Sequence, residues 1–224
     1  MKLLNVFVND KGEFGNPVGI ILDDKNALDI KKRQQIANKS GLSEVVFIDN
    51  IDDGKISIYS PTREIPFAGH AVLGAAYLLE NEYSLSFKKI MTSGGSVDIW
   101  GEGDLVWVRS ELRITPPWWH EKLNSVEELE SLRGSQSPNQ GHVQLWVWID
   151  EQEGIVRART FAADWGIVED EANGSGSMRL AAVLGRNLVI HHGKGSVIYT
   201  KPQGAGFAAV GGRVKIIGEK NIRT

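Results

Sequence analysis

Hydrophobic and polar positions alternate with a period of two over several short runs of the chain. Leu3 to Val8 and Val18 to Leu22 read as strands, joined by the turn-rich segment NDKGEFGNP. The period then changes. Leu28, Ile30, Ile36 and Ala37 fall roughly on one face, which predicts a helix over Leu28 to Lys39, with Gly41 placed to end it as a left-handed cap. Glu44 to Ile48 (EVVFI) is β-branched and aromatic and reads as a strand, so Glu44 sits where a loop becomes a strand and can project into a cleft. Lys55 to Tyr59 (KISIY) alternates cleanly and is a further strand.

Three more short strands are predicted at Phe87 to Thr92, Ser96 to Trp100 and Leu105 to Arg109, separated by glycine-containing turns in a meander. The pattern weakens from Glu111 to Gln140. There ITPPWWHEKL is irregular, SVEELESL reads as a helix with Ser125 and Glu128 at capping-box positions, and GSQSPNQG reads as a loop. His142 to Asp150 and Ile155 to Phe161 read as paired strands across EQEG. A glycine-rich helix start follows, then strands Ser196 to Thr200 and Gly206 to Ile217. Each half thus carries strands followed by a small-residue entry into an alanine-rich helix, FAGHAVLGAAYLL and NGSGSMRLAAVLG, which suggests a pseudo-duplication.

Composition narrows the function classes. At 224 residues the chain can hold one large domain or two small ones, and 42% hydrophobic with 24% charged residues is the balance of an ordinary globular protein. A net charge of -3 with no Lys/Arg stripe offers nothing to attract nucleic acid or anionic lipid, so neither partner is expected. No 18-residue apolar run is present, and the first ten residues alternate like a strand rather than forming a signal-peptide core; a cytoplasmic location is the default expectation. There is no cysteine, which removes disulfides, thiolate metal sites and thiol acid/base pairs. His191 and His192, adjacent on a strand, would point to opposite faces and do not make a metal pair. Tryptophans in runs such as LWVWI read as core or interface rather than as a stacking platform.

The two glycine-flanked helix starts are the first candidates for chemistry. Each presents free backbone N–H groups and the positive end of a helix dipole, so together they could grip a carboxylate, although small residues at a helix start often serve packing alone. The segments GNPVGI (15–20), GLSEVVF (41–47), IYSPTREIPFAGHAVLGAA (58–76), GIVEDEANGSGSMRLAAVLG (166–185) and VGGRVKI (210–216) resemble the successive motifs of the PhzF family, in order and over nearly the whole chain. The resemblance implies an α+β fold like that of diaminopimelate epimerase. It would have two pseudo-duplicated domains, 1–110 and a shortened 111–224, each a curled mixed or antiparallel sheet around a central helix, with the active site in the cleft between them.

The same resemblance implies an isomerase that needs no metal and no organic cofactor, acts on a small carboxylate-bearing substrate and forms a homodimer. Glu44, in the LSE motif, would be the general acid/base, moving a proton from one carbon to another. An apolar cleft would raise its pKa by desolvation. By position alone Glu44 is a solvated strand-edge carboxylate. His70 of FAGH would contact or polarise substrate, the alternative being an imidazole satisfied by backbone; Gly69 beside it would expose N–H groups. Asp170 would orient substrate or relay a proton, where spacing alone allows a helix cap. Gly174 and Ser175 would add a backbone and hydroxyl clamp. The chain departs from the family pattern at Glu171 (a proline there), Asn173 (threonine) and Gly176 (alanine), and is shorter than typical members between residues 109 and 160 and near the C-terminus. A catalytically inactive binding protein of the same fold is the alternative. Lacking cysteine, the chain has no two-thiol racemase chemistry, which favours isomerisation by one carboxylate over racemisation.

Overall fold

The structure, a computed structural model, describes residues 1–84, 88–133, 141–204 and 206–222. The expected start of a strand at Phe87 and the expected loop over 134–140 lie outside the described residues. In chain order the elements are β1 (Lys2–Val8), β2 (Asn16–Leu22), α1 (Ile30–Ser40), β3 (Val45–Asn50), β4 (Lys55–Tyr59), β5 (Glu64–Ile65), α2 (Gly69–Tyr83), β6 (Lys89–Thr92), β7 (Gly95–Glu102) and β8 (Leu105–Glu111). The second half adds β9 (Trp119–Lys122), α3 (Val126–Ser131), β10 (His142–Asp150), β11 (Ile155–Ala162), β12 (Ile167–Asp170), α4 (Gly174–Leu184), β13 (Leu188–His192), β14 (Ser196–Pro202) and β15 (Phe207–Glu219).

The strands run in the order β1-β2-β3-β4-β6-β7-β8-β15-β14-β13-β11-β10-β9. β15 also pairs with β1, so the sheet closes on itself from β1 through β8 and β15. The helix inside this closed part is α2. It is apolar nearly all round, with His70, Ala71, Val72, Leu73, Ala75, Leu78 and Leu79 buried, as a helix enclosed by sheet must be. Fully burying side chains such as Leu73 and Leu79 contributes roughly 1.5–3 kcal/mol each. The remaining strands curl past α4, which packs on β14, β15 and β9. α4 is enclosed on one side only: Met178, Leu180 and Ala181 are buried, while Val183 is 75% exposed. The long last strand therefore belongs to both curls, pairing with β8 and β1 in the first and with β14 in the second.

The expected helix 28–39 forms two residues later. Asp29 caps it, accepting from the Lys32 amide, and Gly41 ends it with φ 75°, a left-handed turn. The irregular stretch after Glu111 contains β9, whose Trp119–Lys122 lies parallel to Val143–Trp146 of β10 at the sheet edge. Its exposed, non-alternating residues give no strand signal. No helix among the described residues is long and apolar enough to cross a membrane.

Candidate active site

Glu44 immediately precedes β3, and its carbonyl accepts from the Gly19 amide of β2 at 3.5 Å. The backbone is thus tied to the sheet while the side chain turns to α2. His70 is the second residue of α2, a helix that begins at Ala68 with no side-chain cap, so its first N–H groups keep unused donors. His70 Nε2 stands 3.0 Å from Glu44 Oε2, with side-chain exposures of 7% and 15%. The contact is an ion pair without good hydrogen-bond alignment, and neither atom has another aligned protein partner.

Asp170 ends β12. Its Oδ1 accepts from Asn16 Nδ2 at 2.9 Å and from the Ala172 amide at 3.2 Å, and its Oδ2 accepts from Asn173 Nδ2 at 2.9 Å. Asn16 is buried at the start of β2, and its Nδ2 also donates to the Ala172 carbonyl at 3.0 Å, tying the first strands to the approach of α4. The cap of α4 is Asn173, not Asp170: the Asn173 side chain accepts the Gly176 N–H.

The starts of α2 and α4 abut. A methyl group on Gly69 would lie 3.5 Å from the Gly174 Cα, and one on Gly174 would lie 3.6 Å from the Gly69 Cα and 3.0 Å from the Phe7 ring. Phe7 is fully buried, and its φ of 69° coincides with a shift in the β1–β15 register between Val6 and Val8. This bulge sets the ring against the start of α4. Ser175 is buried, and its hydroxyl already accepts from Trp118 Nε1 at 2.9 Å and faces Asn173 Oδ1 at 3.5 Å. His120 reaches the Gly176 carbonyl at 2.9 Å.

Electrostatics distinguish the three titratable groups. Burial is the largest single influence on Glu44 and pushes it up, but the charge and close polar contact of the facing His70, with help from Ser43, together outweigh it, and the carboxyl is held below its usual 4.5. This corrects the expectation that desolvation would raise it: the desolvation is present, and the imidazolium reverses the sign. Burial works to lower His70, yet Glu44 and, less strongly, Asp170 raise it above 6.5. Asp170 is raised above 3.8, by burial first and by the like charge of Glu44, with His70 and Asn173 opposing. The arrangement is an ionised Glu44/His70 pair beside a more readily protonated Asp170, all next to two helix N-termini.

Glu44, His70, Gly69, Asp170 and Gly174 thus converge. Ser175 lies at the same helix start with its hydroxyl engaged within the protein. Sequence reasoning did not single out Asn16 or Phe7, named Asn173 only as a departure from the family motif, and read Trp118 with the other tryptophans as core or interface. Asn16 lies in the GNPVGI segment and Asn173 occupies an N-cap position, signals that could have found both; Phe7 and Trp118 carry no local signal. Cavities of about 520 Å³, lined in part by Arg157, Arg159, His191 and Lys194, and about 250 Å³, lined in part by Trp107 and Lys201, lie elsewhere. Among the described residues no group of three or more His, Cys, Asp or Glu could hold a metal ion.

The α+β fold is similar to that of a hydroxyproline epimerase of Agrobacterium vitis (TM-score 0.62, 14% identity, 97% of this chain and 90% of that one). It is closer to a PhzF-family structure from Enterococcus faecalis (TM-score 0.78, 18% identity, 99% and 98%). Residues 4–105 match the family model described as phenazine biosynthesis-like protein. The chain is 27% identical, over 86% of each sequence, to the trans-2,3-dihydro-3-hydroxyanthranilate isomerase of Pseudomonas aeruginosa. The chain is thus similar in sequence and fold to PhzF-family proteins, and its fold is epimerase-like.

Proposed function

We propose that the protein is an isomerase in which Glu44 takes a proton from one carbon of a small carboxylate-bearing metabolite and returns it to another. The observation that carries this reading is the Glu44–His70 pair, 3.0 Å apart and buried where two glycine-started helices meet. Held below its ordinary pKa, Glu44 is ionised at neutral pH and available as a base. The weak basicity this implies is offset if the substrate carbon is acidified. Helix N–H groups at Gly69 and Gly174, with the His70 charge, would stabilise the negative charge that spreads into the substrate carboxylate on deprotonation.

Once protonated, Glu44 is the acid for the second carbon, so one group serves both steps on one face of the substrate. Asp170, the more readily protonated carboxyl, would hold a polar substituent by hydrogen bond, its own position set by Asn16 and Asn173. The division into halves 1–110 and 111–224 around this cleft, and a homodimeric assembly, belong to the same proposal. The relatives named as isomerases support it.

The test is to incubate the protein in D2O with small hydroxy and amino carboxylates, including trans-2,3-dihydro-3-hydroxyanthranilate, and follow C–H to C–D exchange. Deuterium uptake with isomerised product is expected. Tight binding without uptake would instead identify a binding protein.

A further inference from the structure

Glu171 follows Asp170 directly, at the position where the motif this segment resembles carries a proline, and its carboxylate is used within the structure. Glu171 Oε1 accepts from the Lys194 amide at 3.3 Å and from Ser196 Oγ at 3.4 Å. Ser196, itself fully buried, accepts in turn from the Gly15 amide at 3.0 Å. Gly15 precedes Asn16, whose side chain holds Asp170 and the Ala172 carbonyl. A closed loop of contacts results: Glu171 to Ser196 to Gly15, then through Asn16 back to the residues on either side of Glu171.

The peptide of Glu171 is pinned as well. Its carbonyl receives His192 Nδ1 at 3.0 Å, and His192 Nε2 meets Thr160 Oγ1 at 2.8 Å, both partners fully buried. A side chain at Gly193 would run into the same carbonyl. The Phe14 ring lies against Gly195 and covers the loop from outside. A proline at 171 could make neither side-chain bond.

We propose that Glu171 and Ser196 are positioning residues: they latch the Gly15–Asn16 segment of the first half onto the 170–172 segment of the second and thereby fix Asp170 in the site. The carboxylate acts as an acceptor, so a neutral acceptor of the same shape preserves the latch. The kinetic consequence rests on the isomerase reading; the mechanical one does not.

The test uses the full chain with Glu171→Ala, Glu171→Gln, Ser196→Ala and the Glu171→Ala/Ser196→Ala double variant. Amide hydrogen exchange should rise about 5- to 10-fold at Gly15 in Glu171→Ala and in Ser196→Ala, the loss of one net hydrogen bond. Glu171→Gln should restore protection, and the double variant should exchange no faster than the faster single one, because both remove one chain of contacts. Unchanged exchange at Gly15 in Glu171→Ala, or multiplying effects in the double variant, would overturn the latch. With substrate, kcat per folded molecule should fall in Glu171→Ala with little change in KM and recover in Glu171→Gln. A KM or stability change alone would mark a merely structural role. Absence of turnover in the unsubstituted protein would count against the isomerase reading, while Gly15 exchange still decides the latch.

Discussion

His192 should make the fold acid-sensitive by a calculable amount. It is fully buried, with both ring nitrogens engaged, and burial pushes its pKa down from 6.5 to about 4. The ring is therefore neutral in the fold, donating from Nδ1 to the Glu171 carbonyl and accepting at Nε2 from Thr160. The unfolded chain takes up a proton near 6.5 and the folded one only near 4, so unfolding gains a proton in between. Stability contributed by the neutral ring is complete above about pH 6.5 and is lost as pH falls to about 4. At about 1.36 kcal/mol per pH unit the loss amounts to roughly 3 kcal/mol. His192→Asn keeps a donor for the Glu171 carbonyl and cannot titrate. It should cost about 1–3 kcal/mol at pH 7.5 for the Thr160 hydroxyl left unmatched, and that cost should shrink or reverse by pH 4.5. Urea unfolding of both proteins across this range gives the difference directly, with contributions from other groups cancelling. A difference that stays constant with pH would refute the assignment of a neutral, buried His192.

Further outcomes follow from the site. Gly174→Ala places a methyl 3.0 Å from the Phe7 ring at the junction of the two helix starts, and should destabilise the fold by about 1–3 kcal/mol in thermal or urea melts; Gly101→Ala, where nothing lies within 4 Å, is the control. If turnover requires ionised Glu44 and protonated His70, kcat/KM should be bell-shaped. Its acid limb should lie below 4.5, because Glu44 is lowered, and its alkaline limb above 6.5, because His70 is raised. The same pair should add most stability between about pH 4.5 and 6.5. Its Glu44 contribution is lost as pH falls further and its His70 contribution as pH rises further, measurable as the difference in Tm between the protein and His70→Asn.

The elements best read in advance are those whose local pattern agrees with their burial. KISIY, EVVFI and the helix ended by Gly41 appear within one or two residues of expectation: KISIY and the helix each have one periodic buried face, and EVVFI is an unbroken β-branched and aromatic run buried on both faces. β9 and β12 escape the pattern: both are four-residue pieces with mostly exposed or half-buried side chains, held by pairing to a neighbour rather than by a face of their own. His191 and His192 do face opposite ways, one exposed and one fully buried. Glu44 and His70 were legible as candidates, but not the sign of their coupling. Desolvation depends on one residue's surroundings, whereas the opposing charge comes from a partner 26 positions away on another element. Nor could spacing reveal that Asn16 would reach Asp170 across 154 positions.

The most direct test of the central claim is deuterium uptake into substrate by Glu44→Gln, compared with the unsubstituted protein at neutral pH. The substitution keeps the volume and removes the proton-accepting charge, so exchange and product formation should fall by at least about 100-fold while the melting transition is retained. Uptake within about tenfold of the unsubstituted rate would show that another group carries the proton.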